Sequence, residues 1–142
     1  MTSFVGSKGN RIVVINLRRD EKLLEKIRTE LKKLGIKNGV ILSAIGSLQK
    51  AVFHRVVSTG KSPEDEFVTI ERPIELASLQ GLIVDGEPHF HMVVSDVGQT
   101  YTGHLEEGTT VLYLVEITIM EIEGLDLKRQ KDENNIAVLL NK

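Results

Sequence analysis

Strand-like apolar runs recur along most of this chain, and one stretch carries the best-defined helical spacing. Arg11 to Leu17, with Ile12-Val13-Val14-Ile15 at its centre, reads as a strand. Leu23, Leu24, Ile27, Leu31 and Leu34 then recur at helical spacing. Asp20 is placed to cap that helix, Glu21 suits its positive end, and Gly35 stops it. Asn38-Gly39 turns into the buried-type run Val40–Ile45. Gly46-Ser47 interrupts that run, and Ala51–Val57 reads as a further strand. A polar loop at 58–66 leads to a short strand at Phe67–Glu71, which Arg72-Pro73 ends. A patterned stretch from Ile74 follows, up to the turn Asp85-Gly86. Late in the chain, Thr109–Ile122 is dense in Val, Leu, Ile and Thr, and reads as a long strand buried on much of both faces. The tail from Leu125 has apolar ends around a polar turn at 131–135. Strands outnumber helices, so the expected fold is α+β: one domain over residues 1–142, mostly antiparallel sheet with at least one packed helix.

Residues 87–105 hold three of the four histidines. His89 and His91 are two apart, so in a strand they share a face. If the chain turns at Asp96-Val97-Gly98-Gln99, Ser95 faces Thr100 and His91 faces His104. That register gathers Phe90, Met92, Val94, Tyr101 and Leu105 on the other face, whereas a three-residue loop scatters them. The apolar pattern therefore selects the register that clusters His89, His91 and His104. Three imidazoles on one face suit zinc or another divalent transition metal, with a fourth position left open for a small ligand. The competing reading is three ordinary polar residues on a solvated face. His54 lies far from the others in sequence and is expected at a surface or strand edge, outside any metal set.

Composition narrows the field. At 142 residues and 41% hydrophobic content, the chain is long and apolar enough for a real core. It has no cysteine, which excludes disulfides, thiolate ligands and cysteine nucleophiles. No apolar run approaches the about 20 residues that span a bilayer, and residues 1–8 lack the apolar core of a leader. A cytoplasmic protein without a membrane partner is the expectation. The net charge of −2 is unlike a dedicated nucleic-acid binder. Residues 18–37 are locally basic, with Arg18, Arg19, Lys22, Lys26, Arg28, Lys32, Lys33 and Lys37 against Asp20, Glu21, Glu25 and Glu30. A Lys/Glu-rich helix face is more often solvated than bound to phosphate.

His89-x-His91 followed by Gly103-His104-Leu105 resembles the plants-and-prokaryotes-conserved (PPC) domain family. Three further stretches are similar to that family: Ile45-Gly46-Ser47-Leu48 before Ala51, Glu75 with Ser78-Leu79-x-Gly81, and Arg129…Asp132 near the end. Thr102 departs from it, standing where a second glycine is usual, as do Asn134-Asn135 in place of Thr-Gly. The resemblance implies a homotrimer. In prokaryotes the family is described as predicted DNA-binding; in plants it carries a separate Arg-Gly-Arg-Pro hook, which this sequence lacks. Three roles follow as expectations: a metal-binding protein with no assigned catalytic residue, a DNA-binding regulator, or an oligomeric interaction module without catalysis. Glu75 is a candidate carboxylate near the histidines, weighed against a solvated strand residue.

Overall fold

The structure is a computed structural model that describes residues 8–142, with side chains from Arg11 onward. Its elements run β1 (Lys8–Arg18), α1 (Leu23–Leu34), β2 (Gly39–Val56), β3 (Asp65–Val84), β4 (Glu87–Ser95), β5 (Thr100–Leu105), β6 (Thr110–Glu123), β7 (Leu127–Lys131) and β8 (Ala137–Asn141). Most of residues 1–8, read above as lacking the apolar core of a leader, lies outside the described residues, and strand backbone begins at Lys8. Six strands form one sheet in the order β1-β6-β2-β3-β4-β5, all pairings antiparallel, and β7 pairs with β8 as a separate hairpin. The expected α+β class, mostly antiparallel with one packed helix, is the fold observed.

The sheet does not stay open. β5 also pairs with β2 through Phe53↔Leu105 and His54↔His104, so β2, β3, β4 and β5 close on themselves. Alternation then decides what goes inside. Phe53, Leu76, Leu79, Phe90, Met92, Val94 and Leu105 are buried together, and the residues between them face outward. α1 lays Leu23, Leu24, Ile27 and Leu31 into the same core, in one cluster with Leu17, Val115, Ile117 and Ile119.

Four sequence expectations change here. Asp20 is not the helix cap. It sits at φ 69° in a turn, where its N–H donates to Val111 O and its carboxylate accepts from Gln49. Lys22 occupies the cap position without a side-chain bond, because backbone does the work: Leu23 N–H donates to Thr109 O at 2.8 Å. Gly35 does end the helix, at φ 69° in the left-handed region glycine favours. Second, Gly46-Ser47 interrupts nothing; β2 runs through it as one strand of 18 residues. Third, Pro73 does not end β3. The register shifts between Leu48↔Ile74 and Lys50↔Glu71, and this bulge accommodates a residue that has no N–H to give a ladder. Fourth, β6 is buried on one face only. Val111, Val115, Ile117 and Ile119 enter the core, while Leu114 is 44% exposed and Glu116 faces outward.

β2 and β3 are paired from Gly39 to Val40 and again from Gly46, in the same register on both sides. Between those stretches they part, leaving a slit of about 330 Å³ lined by Val40–Ile45 and Ala77–Leu82. No helix among the described residues is long and apolar enough to cross a membrane.

Candidate metal centre

β4 and β5 carry the site. Their register is Ser95↔Thr100, Val93↔Thr102 and His91↔His104, with a turn at 96–99. Asp96 fixes that turn: its Oδ1 accepts from Gly98 N–H at 2.7 Å and Gln99 N–H at 2.9 Å. Phe90, Met92 and Val94 point into the core, so His89 and His91 must point out. The ring centroids lie 5.4 Å apart for His89–His91, 4.9 Å for His89–His104 and 5.4 Å for His91–His104. One ring nitrogen from each of the three falls within 4.8 Å of the others. A tetrahedral ion with metal–nitrogen bonds of about 2.1 Å needs nitrogens about 3.4 Å apart, so modest side-chain rotation closes the set. The residues therefore fit a metal with imidazole preference.

His54 belongs to this cluster, against expectation. It faces His104 across the β2–β5 ladder, and the two rings stack at 4.5 Å. The rings thus form a row across three strands, His54–His104–His91, with His89 diagonal to it. Glu106 holds His54: Oε1 lies 2.6 Å from Nδ1. A carboxylate only accepts, so the proton is on Nδ1. Glu106 is itself fixed from below. Its N–H donates to Val52 O at 3.0 Å, and the buried Thr109 hydroxyl, beside its carbonyl, accepts from Val52 N–H. His54, His104 and Glu106 form a second set of the same compactness. In that set, however, the His54–Glu106 bond already engages two of the three members. By contrast, no ring nitrogen of His89, His91 or His104 makes a hydrogen bond among the described residues.

The sequence hint for His54 was Gly103. A Cβ there would lie 2.5 Å from Phe53 and 2.6 Å from His54 O, so only glycine lets β5 approach β2 this closely. Glu75 goes elsewhere. It pairs with Ser95 and Ser47, at the far end of β4 from His91, and is exposed. The solvated reading of Glu75 is the one the structure supports.

Burial sets the electrostatics. It is the main cause that draws His104 down to about 4, followed by the charges of His54, His89, His91 and Arg129. His89 is also lowered, by burial first and then by Arg129, His91 and His54. Both rings are therefore neutral at neutral pH, the state in which imidazole coordinates a metal.

The whole chain is comparable with known proteins. The Plants and Prokaryotes Conserved (PCC) domain matches residues 5–123. A solved structure of a metal-containing protein from Archaeoglobus fulgidus superposes with a TM-score of 0.86 at 26% identity, over 99% of this chain and 100% of that one. A plant- and prokaryote-conserved protein from Pyrococcus horikoshii gives a TM-score of 0.83 at 27% identity, over 100% and 99%. Among curated proteins, a bifunctional protein GlmU of Synechococcus sp. (strain JA-2-3B'a(2-13)) is 30% identical over 113 residues, which is 76% of this chain and 17% of that protein. The chain spans less than a fifth of the length of the curated relatives it matches, at 17% and 19%.

Proposed function

The chain belongs to the Plants and Prokaryotes Conserved (PCC) domain family, and from that premise we propose that it is a metal-binding member in which His89, His91 and His104 hold zinc or another divalent transition ion. The observation that carries this reading is the convergence of three ring nitrogens within 4.8 Å, none of them engaged in a competing hydrogen bond among the described residues. The metal-containing description of the Archaeoglobus fulgidus protein supports it. Such an ion supplies Lewis acidity and one open coordination position. His54, held by Glu106 and stacked on His104, fixes the plane of that ring.

Two subsidiary readings accompany it. The molecule self-associates, as a homotrimer, through the outer sheet face that displays Ile12, Val14, Ile45 and Leu114. DNA binding is the weaker reading, because three of the four cations of α1, all but Lys32, already have partners. Lys26 meets Glu21, Arg28 meets Glu87 and Glu107, and Lys33 meets Glu30.

Elemental analysis of untagged protein beside a His91→Ala/His104→Ala variant tests the metal. About one ion per chain, lost in the folded variant, is the expected result. A wild type that stays metal-free after reconstitution removes the proposal.

A further inference from the structure

One cationic side chain of the histidine pocket has no part in holding an ion. Arg129 stands on β7 directly across from Leu139 of β8. With Gly81, Leu82, His89, His91, Ala137 and Leu139 it lines a cavity of about 370 Å³. Two backbone carbonyls fix its guanidinium: Nη1 donates to Glu87 O at 3.2 Å and Nη2 to Leu82 O at 3.4 Å. Leu82 is the cross-strand partner of His89, so these bonds bolt the hairpin beside the histidine strand. They use two of the five N–H donors of an arginine. Among the described residues, no carboxylate lies within ion-pair distance of this guanidinium. Arg129 is half-buried, and burial is the main influence on it. It has given up water with only the more distant charge of Glu87, itself bound to Arg28, set against that loss, an arrangement that an anion at the free donors would complete.

The walls say which anion. Leu82, Ala137 and Leu139 are apolar, and Leu82 is 39% exposed. A guanidinium fork matches the planar, two-oxygen geometry of a carboxylate. We propose that Arg129 anchors a carboxylate-binding site beside the histidines, which takes a small organic acid whose short apolar tail lies on Leu82, Ala137 and Leu139. This deepens the metal reading and rests on it only for a second point of attachment, the position three histidine ligands leave open.

Calorimetric titration of butyrate, acetate and inorganic phosphate into zinc-loaded and chelator-treated protein tests it. Wild type is expected to bind butyrate more tightly than acetate, by about four-fold for each methylene buried. Arg129→Gln keeps an amide donor for the two carbonyls but loses the charge, and both acids are expected to bind about ten-fold more weakly or worse. Leu139→Ala is expected to weaken butyrate several-fold and leave acetate unchanged, which carries the test if Arg129→Gln loosens the hairpin. Equal butyrate affinity in wild type and a folded Arg129→Gln overturns the proposal. So does phosphate binding tighter than butyrate, or no butyrate binding to wild type in either state. If wild type proves metal-free yet binds butyrate in an Arg129-dependent way, the metal reading fails and this site stands.

Discussion

His104 is the residue on which site and stability meet. Its folded-state pKa of about 4 lies below the ordinary imidazole value of about 6.5. As pH falls, the unfolded chain therefore takes up this proton first. The contribution of His104 is fully present above about 6.5 and is lost as pH falls toward 4. Metal-free wild type should accordingly lose denaturation midpoint more steeply between pH 7 and 4.5 than metal-free His104→Gln (window on the order of the two pKa values). Parallel slopes would show that the ring is not desolvated. The histidines also show what single residues reveal in sequence. His89, His91 and His104 could be grouped because the alternation of Phe90, Met92 and Val94 fixes a local hairpin register. His54 could not, since its partner is reached only by sheet closure between strands distant in sequence.

Elements were legible where local chemistry set them, and misread where tertiary pairing overrode it. The stripe of Leu23, Leu24, Ile27 and Leu31 specified α1 correctly. Its start was misread because residues 20–23 pair with the beginning of β6, and those backbone bonds replace a side-chain cap. Gly46 and Pro73 have the local character of breakers, yet β2 and β3 pass through both because pairing with neighbouring strands resumes on either side, across register shifts. Ile27 is fully buried under the sheet. Ile27→Ala is expected to cost roughly 2–5 kcal/mol in chemical denaturation. Bound metal should be unchanged under native conditions, since Ile27 is a core residue and supplies no ligand atom to the histidine set. A loss below about 0.5 kcal/mol would place the helix outside the cooperative core.

For the molecule as a whole, fold class followed from the strand-rich pattern, but closure of the sheet did not, because Gly103 permits a close approach to β5 without specifying β2 as the partner. The misreading of β6 as buried on both faces has the same origin. Apolar residues such as Leu114 stand on its outer face, away from the core, and Val14, across from Thr118, is 70% exposed. A charge there should leave the single chain within about 0.5 kcal/mol of wild type. Val14→Glu is therefore expected to lower the mass seen by light scattering from oligomer to monomer without unfolding the chain; an unchanged mass would exclude this face as the contact. The slit between β2 and β3 has a consequence of its own. It is a fault line in an otherwise continuous ladder, and its lip, Gly81-Leu82, is also a wall of the cavity beside His89 and His91. Amide deuteration should run fastest within the sheet at residues 77–81, and loading the histidine pocket should slow it there, so that the protein reports its occupancy through the breathing of a seam.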